Sequence, residues 1–192
     1  PEALATGMAR LTAIFAAQVK RGLHDAAAAE ARIALVTGTV GLADLSCCDL
    51  VIEAVFEDLA VKRGVFAELA GVCGPETILA TNTSYLDPEQ IVADLPHPGR
   101  FIALHFFSPA QVMKLLEIVP LAATSPQTRA TGFALAARLG KIPVTAGNCE
   151  GFIGNRILKR YRAAAEMLLT EGIPPAAIDG AMRDFGFGMG PF

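Results

Sequence analysis

Between Asp49 and Thr145, short apolar runs alternate with stretches of helical periodicity. This alternation limits the chain to an α/β architecture, a largely parallel sheet covered on both faces by helices. Asp49–Val55, Thr77–Thr81, Arg100–Phe107, Leu115–Val119 and Ile142–Thr145 read as strands. Asp58 caps a helix running to about Cys73, with Leu59, Phe66, Leu69 and Ala70 on its inner side. Asp87 and Pro88 open a short helix over 88–94. Ser125 and Pro126 supply an N-cap and a first-turn proline for a helix that ends at Gly140.

Upstream, Leu4, Met8, Leu11, Phe15 and Val19 recur at helical spacing, and Lys20, Arg21 and Gly22 close that helix. An Ala-rich helix over 25–32 follows, and Ile33–Val36 reads as a strand or a helix end. After Gly147 strands stop. Phe152 to about Thr170 is a long amphipathic helix, and Pro175 to about Phe185 a shorter one. The expected division is therefore 1–147 and 148–192, the second part being the start of an all-helical domain. Gly186–Gly190 lacks the spacing of a phosphate loop and follows a helix, so it reads as a helix-terminating turn.

Composition excludes several classes. With 53% hydrophobic and 18% charged residues the chain can bury a core, which rules out disorder. A net charge of −3, no Trp and only two Tyr argue against nucleic acid as a partner. The cysteines at 47, 48, 73 and 149 show no metal-type spacing with the three histidines. They read as small buried thiols of a reducing compartment, and no metal is expected. No apolar run is long enough for a transmembrane segment. The opening Pro-Glu-Ala-Leu, without Met or a signal peptide, reads as the interior of a longer protein.

Sites in open α/β sheets lie at the carboxyl ends of strands. The polar residues expected there are Glu57, the Asn82-Thr83-Ser84 turn, His105 and Glu117. His105 and Glu117 each interrupt an apolar strand. A lone buried carboxylate is costly unless paired, so the economical arrangement has each satisfy the other, leaving one imidazole nitrogen as a general base. On their own, Ser84 reads as a turn hydroxyl, Asn155 as a helix cap or an interdomain packing residue, and Glu57 and Lys62 as solvated charges. His24 and His97 fall in exposed-looking loops and receive no role.

Five segments then occur in order: DLVIEAVFEDLAVK (49–62), TNTS (81–84), HFFSPAQVMKLLE (105–117), GNCEGFIGNR (147–156) and FGFGMGPF (185–192). Together they resemble the L-3-hydroxyacyl-CoA dehydrogenase family over almost the whole chain. Ser108, with Gly-Asn-Cys and Phe-Gly-Phe, is closest to the dehydrogenase part of multifunctional fatty-acid β-oxidation enzymes, which also carry an enoyl-CoA hydratase/isomerase part.

The resemblance implies a Rossmann-type NAD-binding domain whose first β-α-β unit is missing here, followed by the truncated start of the family's helical domain. It implies NAD as cofactor, an acyl-CoA as substrate and oxidation of its 3-hydroxyl. His105 would be the base, Glu117 its orienting partner, and Ser84 and Asn155 would bind substrate. Ala54, Glu57, Lys62, Ser84 and Ser108 would line the cofactor site. A fused hydratase part is the expected partner, and homo-oligomerisation is left open. The compartment would be cytoplasmic in a bacterium, and peroxisomal or mitochondrial in a eukaryote. The competing readings are a non-catalytic acyl-CoA-binding or assembly domain, and an NAD dehydrogenase for another hydroxy acid. Without the glycine-rich unit, the chain alone is expected to bind NAD weakly and to have impaired activity.

Overall fold

The computed structural model describes residues 2–192. It divides into two units, up to and from the Cys47–Cys48 bond. The first holds α1 (Glu2–Lys20), α2 (Ala26–Ile33) and a 3-10 turn over Leu42–Leu45. The Asp25 side chain caps α2 by accepting from Ala28 N at 2.6 Å. Of the two expectations for 33–36, the helix end is realised: Leu35 and Val36 N–H bond back to Arg32 and Ile33 carbonyls.

The second unit is built on a five-stranded sheet in chain order: β1 (Leu50–Glu53), β2 (Ile78–Thr81), β3 (Phe101–Phe106), β4 (Leu115–Pro120) and β5 (Ile142–Thr145). Three of the four pairings are parallel; β3 and β4 are antiparallel. Crossovers between parallel strands are made by α3 (Leu59–Val72) and α5 (Pro126–Arg138). Asp58 and Ser125 cap these helices as their sequence positions predict, accepting from Val61 N and Thr128 N. The helix α4 (Pro88–Ile91) is shorter than expected, and just beyond it Asp94 takes a left-handed φ of 65° that is incompatible with continuing it. Last come α6 (Gly154–Thr170) and α7 (Pro175–Phe185), which ends at Gly186 in the left-handed conformation, as the turn reading requires.

Alternation along the strands separates the two faces of the sheet. Ile102 and Leu104 of β3 and Leu116 and Ile118 of β4 form one core cluster with Ala136 of α5. There the sheet approaches the helix closely: a Cβ on Gly132 would meet Leu104, Ile102 and Ile118 side chains at 3.4–3.7 Å. The opposite face carries Ala103 and Val119, packed with Phe152, and in the same alternation His105 and Glu117. The thiols depart from expectation: Cys73 alone is buried, and Cys47 is exposed, because it sits in a turn before β1 rather than in a strand.

Ile118 is fully buried, whereas Ile142 on β5 is 58% exposed. Ile118→Ala should destabilise the protein by about 2–5 kcal/mol, and Ile142→Ala by less than about 1 kcal/mol. Urea unfolding of the two variants beside the parent checks this contrast.

Candidate active site

The antiparallel ladder places His105 directly opposite Glu117. Their side chains meet, with His105 Nδ1 2.7 Å from Glu117 Oε2, the residues being 3% and 0% exposed. Glu117 does not lie at the carboxyl end of its strand as expected. Because β4 runs against its neighbour, its amino-terminal half lies beside the carboxyl end of β3. A carboxylate on Nδ1 fixes the tautomer with the proton there and leaves Nε2 as the basic nitrogen.

The second oxygen of Glu117 is also used. Its Oε1 accepts from Ile153 N at 3.0 Å and Gly154 N at 2.7 Å. These are first-turn donors of α6, whose N-cap residue offers no side-chain bond of its own. Gly151 (φ 71°) and Phe152 (φ 47°) turn the chain through the left-handed region just before them. Asn155, the next residue, lies inside the first turn of α6 and is not its cap, the N-cap position being Ile153. The imidazole is flanked by Phe107 and Phe152, with ring centroids at 4.6 and 5.5 Å.

Gly154 allows this closeness, since a Cβ there would lie 2.6 Å from Phe107 Cζ. Gly154→Ala must push the Phe107 ring away from its seat beside His105. The His105 ring resonances should shift by NMR, while those of His24 and His97 stay in place.

A second cluster surrounds Glu57. Glu57 Oε1 accepts from Thr83 Oγ1 at 2.6 Å, Ser84 N at 2.8 Å and Tyr85 N at 3.1 Å. Its Oε2 is 3.2 Å from Lys62 Nζ. The turn is held by its backbone and by Thr83, and none of these bonds uses the Ser84 hydroxyl. Lys62 is not the solvated charge expected: it is 1% exposed and also lies 2.7 Å from Glu53 Oε1. Its position in the first turn of α3 points it back over the end of β1, where both acids sit.

Glu53 is the site residue that the sequence reading missed. Like Glu117, it is a lone acid in an apolar strand, and the same argument would have found it. Asn82 links the two clusters, as its N–H donates to Glu53 O at 2.8 Å and its Oδ1 accepts from Phe106 N at 2.8 Å. Tyr85 and Asn155 line one cavity of about 370 Å³ with Leu158, Lys159 and Arg162. Ala54 and Ser108 lie exposed just past β1 and β3, outside both hydrogen-bonded clusters. Among the described residues no group of acids, histidines and cysteines could hold a metal ion.

Partial burial would raise the Glu57 carboxyl above its usual value near 4.5. The bonds from Thr83, Ser84, Tyr85 and Lys62 outweigh it and hold the group at about 2. A depressed folded-state pKa contributes stability that is complete above about 4.5 and is lost as pH falls toward 2. Glu57→Gln should therefore be less stable than the parent at pH 7, with the difference closing between pH 4.5 and 2. Urea titrations at several pH values measure it.

Sequence and structure comparisons place this site in a family. A family model described as 3-hydroxyacyl-CoA dehydrogenase, NAD binding domain, matches residues 1–149, and one for the C-terminal domain of the same family matches residues 151–192. The chain belongs to the 3-hydroxyacyl-CoA dehydrogenase family. It is 52% identical over 149 residues to a peroxisomal bifunctional enzyme of Cavia porcellus, covering 78% of this chain and 20% of that one. It is 40% identical over 178 residues to a fatty acid oxidation complex subunit alpha of Vibrio cholerae, covering 93% of this chain and 25% of that one. The chain thus spans a fifth to a quarter of these relatives. Among solved structures, the 3-hydroxybutyryl-CoA dehydrogenase of Escherichia coli superposes with a TM-score of 0.94 at 39% identity, over 100% of this chain and 41% of that one. Among the described residues no helix is long and apolar enough to cross a membrane.

Proposed function

We propose that the protein carrying this chain oxidises the 3-hydroxyl of an L-3-hydroxyacyl-CoA to the ketone, with NAD⁺ as acceptor. The observation that carries this reading is the buried His105–Glu117 pair, held at 2.7 Å beside the carboxyl end of a parallel strand. NAD⁺, when bound, supplies the hydride acceptor.

The residues around Glu57 suit that cofactor. Glu57 is an acceptor kept ionised at ordinary pH, with its side chain 36% exposed at the end of a parallel sheet, and such a group can take a ribose hydroxyl. Ala54, Glu57, Lys62 and Ser84 would hold the nicotinamide half, with Ser108 beside it.

His105 Nε2 takes the proton of the substrate hydroxyl as C3 gives up its hydride and the carbon–oxygen double bond forms. The Nδ1 proton stays on the imidazole, and Glu117 stabilises the imidazolium that results. The Ser84 hydroxyl and the Asn155 amide hydrogen-bond the substrate near the reacting oxygen and thioester.

In this reading 1–147 is the NAD-binding part and 148–192 belongs to the helical substrate domain. The names of the two relatives, a bifunctional enzyme and a fatty acid oxidation complex subunit, support a place in fatty-acid oxidation within a larger protein, where the family resemblance puts a fused hydratase part beside it. The first of these names also supports a peroxisomal location in a eukaryote.

His105→Gln should lower kcat by about 10²–10⁴-fold while KM changes little, because a base acts in the transition state. Steady-state kinetics with 3-hydroxybutyryl-CoA and NAD⁺ test it. Near-normal turnover by the variant would remove His105 from the mechanism.

A further inference from the structure

Glu53 is almost fully enclosed, its side chain 1% exposed, at the last position of β1. Each of its oxygens is committed. Oε1 accepts from Lys62 Nζ and from Val55 N, both at 2.7 Å, and Oε2 accepts from Thr81 Oγ1 at 2.8 Å. Thr81 is its direct partner in the β1–β2 ladder. Lys62 therefore stands between two carboxylates: Glu53, fixed to the sheet, and Glu57, fixed to the turn that carries Ser84.

We propose that Glu53 is a positioning residue for the cofactor site: it holds Lys62 from the sheet side, so that Glu57 stays on the Ser84 turn and the three side chains together present one net negative charge. The charge part rests on the assignment of Glu57, Lys62 and Ser84 to the nicotinamide half of NAD.

Without Glu53, Lys62 has one carboxylate left, and the shortest route to satisfying a buried ammonium is to draw Glu57 toward it. Glu57 would then loosen its hold on Ser84 N and Tyr85 N. The same loss takes the trio from one net negative charge to neutral. The nicotinamide ring is cationic when oxidised and neutral when reduced, so a nearby negative charge favours NAD⁺ over NADH. For unit charges several ångströms apart in partly wet protein, this preference amounts to about tenfold.

The test uses Glu53→Gln in the full-length protein that carries this chain, with two readouts. Calorimetric titration should show the Kd for NAD⁺ rising about tenfold more than that for NADH. A merely structural role would weaken both by the same factor, and that result, or no change in either, would overturn the charge role. Hydrogen exchange without cofactor should show the Ser84 and Tyr85 amides losing protection while Ile118 keeps its own; unchanged protection at the turn would overturn the positioning role. If the variant does not fold, Thr81→Val removes one of the bonds that orient Glu53 and no charge. It should speed exchange at Ser84 and Tyr85 and leave the NAD⁺/NADH ratio unaltered, and a shifted ratio with an unaltered turn would overturn the proposal. Parent protein that binds neither cofactor, with the Ser84 and Tyr85 response to Glu53→Gln intact, would overturn the cofactor assignment and retain Glu53 as the holder of the turn.

Discussion

The Glu117 carboxylate is fully buried and survives there because three donors converge on it: His105 Nδ1, Ile153 N and Gly154 N. Removing a charge from water costs several kcal/mol unless its lone pairs are met. That requirement binds three elements together. His105 on β3, Glu117 on β4 and the start of α6 cannot shift independently, since any movement would leave the carboxylate short of a donor. The close seat of Phe107 against Gly154, and the left-handed turn at Gly151 and Phe152, follow from bringing a helix terminus down to a side chain in the sheet.

The Glu53–Lys62–Glu57 group applies the same physics with an ion pair in place of a helix end. In both clusters an acid in an apolar strand fixes a group of opposite polarity, and the fixed group orders the part that would touch a ligand. Asn82 joins the clusters, its N–H donating to Glu53 O at the end of β1 and its side-chain Oδ1 accepting from Phe106 N at the end of β3, so the two halves of the site share one floor.

Much of this was legible in the sequence. The strands, the capped helices α3 and α5, and the change of character after Gly147 follow from periodicity and from Asp58, Ser125 and Gly186. The His105–Glu117 pairing follows from the cost of two unpartnered polar groups in apolar strands. What escaped were the relations that only tertiary structure sets. Nothing local in Leu115–Val119 says that this strand runs antiparallel, which is why Glu117 was expected at the wrong end. Lys62 looks like any helix-surface lysine until the first turn of α3 is laid over two acids. Glu53 could have been found, since it breaks an apolar run as Glu117 does. The donors to Glu117 Oε1 are backbone amides, which leave no trace in residue type.

The antiparallel step between β3 and β4 has one more consequence. His105 and Glu117 face each other across a ladder, and a ladder is set by register, not by the chain that joins its strands. The connection through Ser108–Lys114 is mostly exposed, and Lys141 Nζ holds it by the carbonyls of Ala110 and Met113. Its length and composition are thus decoupled from the alignment of His105 with Glu117. Residues can be inserted, deleted or exchanged in that hairpin, to reshape what borders the site, with the His105–Glu117 pair left in place. A slip of one residue within the strands would instead turn Glu117 to the α5 face and leave the imidazole without its acid. The alignment of the pair is tolerant of change along the loop and intolerant of it along the strands.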